Sequence, residues 1–409
     1  MPALFRTIGK RNPGLKREAA QRNVCKNADM DQDSLPSRST GRDGAIDVVR
    51  GICIVSMVAS HLAAGSILDK VTHPSVWVDG ASGFVLFSGL LIGIVQRSTR
   101  ERRGTVAGVR KLAKRIGIVY LGHIWLCLLA FAVVEVVPSR DDILPSISDQ
   151  GGASSALLHM LTLQINPYFA SILSMYVVLM ICTFVSLWLL ERNRLGVLLG
   201  WVAALIVFGT IFPTWTALPR ESGVPGPITL ATWFGLMTIG VIAGWYWRTP
   251  AVQSLIASRT WTIIATGIAL SGVSAARVLN AFDSELEVPA LHALFTKDGM
   301  GLGRIVVSLC SYFALYRALT WLLARPRWVK LLSPINLVGK RSLDSYLILS
   351  SVVLVLPAIW EWESKSLTGI LLALAVLTLC IWWAFIRPAQ FSHKFPGARS
   401  SLTQAAHKV

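Results

Sequence analysis

Three ionisable residues, Asp47, Arg50 and His61, lie in one apolar stretch near the start of the chain, AIDVVRGICIVSMVASHLAAG. A charge placed in hydrocarbon costs several kcal/mol, so such residues usually face a protein interior or a polar cavity. In a helix, His61 follows Arg50 on nearly the same face, about 16 Å farther along the axis, and Asp47 lies one turn before Arg50.

This arrangement of Arg50 and His61 could support a transfer reaction. A guanidinium can hold a phosphate or a carbonyl, and an imidazole with a pKa of about 6.5 can act as a general base at neutral pH. The spacing alone leaves a second interpretation open, in which Asp47 and Arg50 form a structural ion pair and His61 is a hydrogen-bonded packing residue.

A stretch of small residues follows in GFVLFSGLLIG, which runs from Gly83 to Gly93. Small side chains such as Ser88 and Gly89 let another helix or a ligand approach the backbone closely. Helix packing alone would explain the pattern, and the spacing by itself favours that interpretation.

A basic segment, RSTRERRGTVAGVRKLAKR, lies between two apolar runs and carries 8 basic residues against the single acidic Glu101. Contact with anionic lipids would explain this charge. A second interpretation is a docking site for a phosphorylated carrier on Lys111, Lys114 and Arg115, because Lys and Arg bind phosphate.

Further ionisable residues lie within or beside apolar runs, among them His123, Asp79, Arg277 and Arg304. His123, in YLGHIW, either contacts a donor substrate or is a satisfied packing residue. Asp79 and Arg277 lie near predicted outer ends of spans, where they either hold a polar acceptor or simply pair and snorkel.

The elements that must position these residues are membrane helices. The chain of 409 residues is 53% hydrophobic and 15% charged, and a run of about 20 apolar residues crosses a bilayer as a helix. Apolar runs between charged breaks predict ten spans, over residues 46–66, 78–96, 116–137, 168–190, 195–213, 228–247, 260–280, 301–323, 342–360 and 367–386. The predicted fold class is therefore an all-α integral membrane protein.

The charge distribution predicts an orientation for these spans, because cytoplasmic segments carry the excess of Lys and Arg. With the N-terminus inside, the cytoplasmic segments hold 30 basic and 7 acidic residues, whereas the alternate loops hold 5 basic and 11 acidic residues. Both termini are thus expected in the cytoplasm, and the protein in the inner or plasma membrane of the cell.

Three regions are predicted along the chain. Residues 1–45 are polar and mixed in charge, which is typical of a disordered cytoplasmic tail. Residues 46–386 form the membrane domain, and residues 387–409 form a C-terminal cytoplasmic tail. The apolar segment 154–167 is too short to span and is interpreted as an interfacial or re-entrant helix.

Composition also excludes several classes of protein. The net charge of +17 follows the alternation of loops, which argues against nucleic acid as a partner. The 6 cysteines do not pair by spacing, so neither a disulfide framework nor a metal site is expected.

Two motifs carry a resemblance to a known superfamily. Arg50-Gly51 with ten residues between Arg50 and His61 resembles the Arg-x10-His signature of the acyltransferase-3 superfamily. The run from Phe84 to Ile92 resembles its second-helix motif, with Leu90 in place of the usual Phe.

Within that superfamily, the chain resembles the OpgC family, named for the succinylation of osmoregulated periplasmic glucans. Three segments point to it: Ile172 to Tyr176 resembles Leu-Pro-Leu-Tyr, Gly303-Arg304-Ile-Val resembles Leu-Arg-Leu-Leu, and Gly339-Lys-Arg-Ser342-Leu resembles Gly-Arg-His-Ser-Leu. The Pro-x-x-Trp-Gln motif of the family is only echoed by Pro227 to Trp233, without the Gln.

This resemblance implies an O-acyltransferase that moves an acyl group of succinyl or acetyl type. The donor is a cytoplasmic acyl-CoA with no tightly bound cofactor, and the acceptor is a hydroxyl of an extracytoplasmic glycan or glycolipid. His61 is then the general base, with an acyl-His61 intermediate as the alternative, while Arg50 holds the donor and Asp47 orients Arg50. Donor-binding roles fall to Ser88, Gly89, Lys111, Lys114, Arg115 and His123, and acceptor-binding roles to Asp79 and Arg277.

Two other classes of function remain open from the sequence. A transporter or flippase of a cell-envelope glycan precursor would share the buried charges but would not consume a thioester. A membrane sensor or scaffold would not need Asp47, Arg50 and His61 on one face.

Overall fold

The computed structural model describes residues 43–73, 75, 77–167, 171–221, 224–281, 294–296 and 299–387. Almost all of the two predicted tails, 1–45 and 387–409, lies outside these residues, as does Tyr168 to Ala170 at the start of the fourth predicted span. The described residues from Gly44 onward belong to one compact unit.

The described chain is built mainly of helices. The longer ones are α1 (Gly44–Leu62), α3 (Gly80–Val136), α5 (Ser171–Glu191), α6 (Leu195–Ile211), α7 (Leu230–Trp245), α9 (Arg259–Ala281), α10 (Leu302–Leu323), α13 (Ser342–Ile359) and α14 (Leu367–Ile386). The shorter ones are α2 (Ile67–Thr72), α4 (Ala153–Leu161), α8 (Pro250–Ala257), α11 (Pro326–Leu331) and α12 (Ser333–Lys340).

The helices coincide with the predicted spans, and the protein is a multi-pass helical membrane protein. Within the described ranges, seven helices are long and apolar enough to cross a bilayer: α1, α3, α5, α9, α10, α13 and α14. The pair α7 and α8 passes the same test only as one span bent by 108°, and α6 is shorter. The total of ten crossings and the placement of the termini stay predictions.

α3 covers both the second and the third predicted spans. It runs for 57 residues and is interrupted only at Gly104, where φ is 81° and ψ is 168°. Because φ is positive there, a residue without a Cβ is favoured at this break. The basic segment between the two spans is therefore helical on both sides of Gly104, and we refer to the parts before and after Gly104 as the first and second arms of α3.

The structure also contains a small β-hairpin, which the predicted all-α fold does not include. Strands β1 (Ala217–Glu221) and β2 (Val224–Thr229) pair antiparallel between α6 and α7, where the sequence predicts a loop. Three prolines in this segment disfavour a helix, since proline removes a backbone donor and clashes with the preceding turn.

The predicted short helix at 154–167 is present as α4, which covers Ala153–Leu161. Its C-terminal end packs on the second arm of α3, where the Tyr120 hydroxyl donates to the Leu161 carbonyl at 2.8 Å. Whether α4 lies at a membrane interface stays a prediction.

The first arm of α3 packs tightly along α7. A Cβ added at Gly89 or Gly93 would collide with the backbone of α7, and a Cβ at Gly240 or Gly244 would collide with the backbone of α3. Such reciprocal contacts between small residues let two helices approach closely in a membrane. The small-residue stretch of the second span thus has the packing role that its spacing favours.

Candidate functional site

Arg50 is the centre of a buried group of residues drawn from four helices. Its side chain, on α1, is only 6% exposed, and its Nη2 donates a hydrogen bond to Ser342 Oγ on α13 at 2.5 Å. The guanidinium carbon lies 5.7 Å from the centre of the Phe84 ring on α3, within the range of a cation–π contact.

Phe84 in turn contacts Tyr176 on α5, with 5.8 Å between the ring centres, and Tyr176 is buried. We refer to Arg50, Phe84, Tyr176 and Ser342 as the Arg50 cluster. The Arg50 guanidinium contacts one aromatic ring and one hydroxyl, and its N–H groups are the kind of donor that binds an anionic or carbonyl group.

α12 positions both α1 and Ser342. A Cβ at Gly339 would collide with the carbonyl of Asp47, and a Cβ at Gly51 would collide with the carbonyl of Ile335. These close approaches seat α12 against α1 on either side of Arg50. Because α13 begins at Ser342, immediately after α12 ends, the same contacts bring the Ser342 hydroxyl to Arg50.

Asp47 is fully buried on α1, one turn before Arg50. Its carbonyl meets Gly339, so its backbone is part of the contact between α1 and α12. The predicted role of Asp47 in orienting Arg50 stays a prediction.

His61 lies in the last turn of α1 and is half-buried. α1 runs without interruption from Gly44 to Leu62, so the helical spacing from Arg50, about 16 Å along the axis, holds in the structure. The end of α1 is fixed by Trp362, whose Nε1 donates to the Leu62 carbonyl at 2.9 Å.

Ser88 and Gly89 point to different neighbours. Ser88 lies one turn after Phe84 on α3, which places it on the face of α3 that carries Phe84. Its Oγ is buried and, among the described residues, has no hydrogen-bond partner. Gly89 instead contacts the Met237 carbonyl of α7. A buried hydroxyl without a partner is unfavourable, so Ser88 is the better candidate of the two for contact with a ligand.

Asp79 caps α3 and forms a buried ion pair. Its Oδ1 accepts from the Ser82 amide at 2.8 Å, and its Oδ2 accepts from Arg304 Nη2 at 2.7 Å. The Tyr312 hydroxyl donates to the Asp79 carbonyl. Arg304 is completely buried. The sequence identifies Arg304 as ionisable within an apolar span, but its partner is 225 residues away and no local signal reveals it.

Asp79 also lies deeper along α1 than expected. A Cβ at Gly80 would collide with the carbonyl of Cys53, so α3 begins beside the middle of α1. Cys53 precedes His61 by eight residues, which is about 12 Å along a helix. The carboxylate is thus engaged by Arg304 away from the end of α1, and its predicted contact with an acceptor stays a prediction.

Arg277 is exposed near the end of α9, a helix that packs mainly on α10. The structure gives Arg277 no place in the Arg50 cluster. Its predicted role in acceptor binding is not tested.

Lys111, Lys114 and Arg115 follow the Gly104 break on the second arm of α3. Lys111 and Lys114 are exposed and Arg115 is partly exposed. Partial burial and the neighbouring charge of Arg103 lower the pKa of Lys111. The three cations are available to solvent, as a docking site for a phosphorylated group requires.

His123 is buried on the second arm of α3 and faces α4. Its ring contacts the backbone of Met160, and its Nε2 lies 3.5 Å from Cys127 Sγ. These contacts agree with the packing interpretation of His123, and contact with the donor stays a prediction.

Sequence reasoning did not assign a site role to Phe84, Tyr176 or Ser342. All three nevertheless stand in segments that carry the resemblance, at the start of the second motif, at the end of Ile172 to Tyr176, and within Gly339 to Leu343. Phe84 and Ser342 contact Arg50, and Tyr176 contacts Phe84, so these segments meet at one place in the fold.

Comparison with known proteins gives one family. A family model described as OpgC protein matches residues 42–393, which is most of the chain and includes every helix from α1 to α14. A search of the curated proteins finds no match.

Proposed function

The chain belongs to the OpgC family, and from that membership we propose that it is a membrane O-acyltransferase. The proposed reaction moves an acyl group of succinyl or acetyl type from cytoplasmic acyl-CoA to a hydroxyl of an extracytoplasmic glycan or glycolipid. The observation that carries this proposal is the Arg50 cluster, which brings side chains from four helices together. Arg50 lies on the same uninterrupted helix, α1, as His61.

Because Arg50 and His61 are far apart, they contact different parts of the donor. The two residues are about 16 Å apart along α1, so they cannot both contact the reacting carbonyl. Arg50 binds a phosphate or the pantetheine arm of acyl-CoA, and an extended pantetheine arm is long enough to bring the thioester to His61. Asp47 keeps the Arg50 side chain oriented.

The chemical step is a general-base transfer at His61. The imidazole takes the proton of the acceptor hydroxyl as its oxygen attacks the thioester carbonyl. The carbon–sulfur bond then breaks, an ester forms with the acceptor, and the CoA thiolate leaves and takes up the proton from His61. The products are the acylated acceptor and free CoA.

The remaining donor contacts extend from the Arg50 cluster towards the basic segment. The Ser88 hydroxyl, buried without a partner in the described structure, hydrogen bonds to an amide of the pantetheine arm. Lys111, Lys114 and Arg115 bind the phosphates at the nucleotide end, since ammonium and guanidinium groups bind phosphate through charge-assisted hydrogen bonds.

The test is release of CoA by the purified protein in lipid nanodiscs, with a glycan or glycolipid acceptor present. We expect His61→Ala to lower the rate by about 100-fold to 10,000-fold, the usual contribution of a general base. His159→Ala, which removes a partly exposed histidine on α4, is the matched control and should retain the wild-type rate.

Two results would contradict the proposal. One is full CoA release by His61→Ala, which would remove His61 from the chemistry. The other is movement of a labelled glycan precursor across the bilayer without any consumption of thioester, which would assign the protein to the transporters.

A further inference from the structure

A cavity of about 300 Å³ lies beside the first arm of α3, among α7, α8, α9 and α10. Its walls are almost entirely carbon and include Leu90, Ile239, Ile256, Trp261 and Phe313. Apolar cavities of about 150 Å³ stay free of water and bind apolar molecules the size of benzene. The larger cavity here is therefore suited to a hydrocarbon chain.

A polar cleft adjoins this cavity and shares Trp247 with it. The cleft is lined by Arg97, Ser98, Glu101 and Arg248, among others. Arg97 pairs with Glu101 at 2.7 Å, whereas Arg248 is exposed and forms no ion pair with any residue that the structure describes. The cleft thus has a net positive charge and one cation available to a ligand.

The bend between α7 and α8 joins the two spaces. α8 turns away from α7 by 108° and places Leu255 and Ile256 against the cavity, while Arg248 lies in the bend itself. A hydrocarbon chain in the cavity would therefore have its polar end beside Arg97 and Arg248. The basic segment that begins at Arg97 is predicted to be cytoplasmic, the side on which anionic lipids attract basic residues.

We propose that the cavity and the cleft together form a binding site for one anionic phospholipid. One acyl chain occupies the cavity, and the headgroup phosphate binds Arg248 and Arg97, with the Ser98 hydroxyl as a further donor. The site is separate from the Arg50 cluster, because Phe87 and Leu90 of α3 face the cavity whereas Phe84 contacts Arg50 and Tyr176. The proposal goes beyond acyl transfer and does not depend on it.

The experiment measures which phospholipids remain bound. The full chain is reconstituted in nanodiscs with equal amounts of phosphatidylcholine and phosphatidylglycerol, extracted in mild detergent, and analysed by native mass spectrometry. Wild-type protein should retain phosphatidylglycerol in preference to phosphatidylcholine. Arg248→Gln should lower that retention about five-fold, from the interaction of one basic residue with an anionic lipid.

Three further variants separate the role of the charge from the role of the cavity. Arg194→Gln removes an exposed arginine that does not line the cleft and should leave retention unchanged. Cys310→Phe fills the cavity from α10 without a change of charge and should abolish retention. Ala265→Phe fills it from α9 and serves as the second filling variant if Cys310→Phe does not elute as a folded protein.

Three results would overturn the proposal. Equal retention of both phospholipids by the wild type would remove the role of the cationic cleft. Unchanged retention in a folded filling variant would place the lipid elsewhere. Displacement of phosphatidylglycerol by a long-chain acyl-CoA would assign the cavity to a donor substrate. A loss of acyl transfer in His61→Ala with lipid retention intact would leave this proposal standing.

Discussion

The first arm of α3 has two faces that meet different surroundings. On one face, Phe84 contacts Arg50 and Tyr176, and Ser88 is buried without a partner in the described structure. On the other face, Phe87 and Leu90 line a cavity whose walls are almost entirely carbon. The charged residues on this side of α3 line the adjoining cleft. One helix thus separates a polar interior from an apolar cavity.

The difference follows from how each face is enclosed. α1 lies in the interior, where 78% of its most apolar 18-residue stretch is buried in the protein. The corresponding share for α9, beside the cavity, is 17%. Buried polar groups persist only where other polar groups can pair with them. Chemistry is therefore expected near α1, whereas the periphery near α9 is suited to binding lipid.

The largest effect is expected at the ion pair between Asp79 and Arg304, which lies at the start of α3. Arg304→Met leaves Asp79 as an unpaired buried carboxylate, which costs about 3–5 kcal/mol in buried pairs. We expect a marked drop in the melting temperature of the purified protein in detergent, measured by differential scanning fluorimetry.

The control for this prediction is the double variant Asp79→Asn with Arg304→Met. It removes both charges and should recover much of the loss in melting temperature. Equal damage in the single and double variants would show that the charge pair is not the cause.

The second largest effect is expected in the Arg50 cluster. Arg50→Ala removes charged hydrogen bonds to the donor, each worth about 1.5–3 kcal/mol, and should raise the KM for acyl-CoA by roughly 10-fold to 100-fold. Steady-state kinetics of CoA release measures this change.

Arg50→Lys is the matched variant, because it keeps the charge but loses the planar guanidinium. It should recover only part of the affinity for the donor. An unchanged KM with a large fall in kcat for Arg50→Ala would instead place Arg50 in the chemical step, close to the reacting carbonyl.

A smaller effect is expected at Ser88. Ser88→Ala removes a hydroxyl that has no partner among the described residues, so stability should not fall. Loss of its hydrogen bond to the donor, worth about 0.5–1.5 kcal/mol, should raise the KM for acyl-CoA by a few-fold. A lower melting temperature with an unchanged KM would show that Ser88 is structural.

The smallest effect on acyl transfer is expected on the other face of α3. Arg248→Gln and a folded Cys310→Phe should keep the rate of CoA release within about two-fold of wild type, because neither residue belongs to the Arg50 cluster or lies on α1, so neither contacts the proposed donor. A large loss of transfer in both variants would show that the two faces act as one site.

Much of the helical framework could be predicted, because long apolar runs in a membrane can satisfy their backbone hydrogen bonds only as helices or closed barrels. The predicted span 46–66 is helical over Gly44–Leu62, which places Arg50 and His61 on one uninterrupted helix as expected, although the helix ends before residue 66. The hairpin Ala217 to Thr229 was not predicted, since strand pairing depends on two short segments meeting.

The arrangement of α3 shows where sequence reasoning was incomplete. The basic segment contains no proline, and its residues favour a helix, so the two predicted spans join through it with a break only at Gly104. The small residues Gly89 and Gly93 were correctly expected to allow a close approach, but α7 as their partner became known only from the structure.

What the sequence by itself determined is the local part: which segments are apolar helices, and that Asp47, Arg50 and His61 lie along one of them, because helical spacing depends only on position in the chain. Only the tertiary structure decided which groups meet. Ser342 lies 292 residues from Arg50, and Arg304 lies 225 residues from Asp79. Such pairs arise from the packing of whole helices, and no short stretch of sequence encodes them.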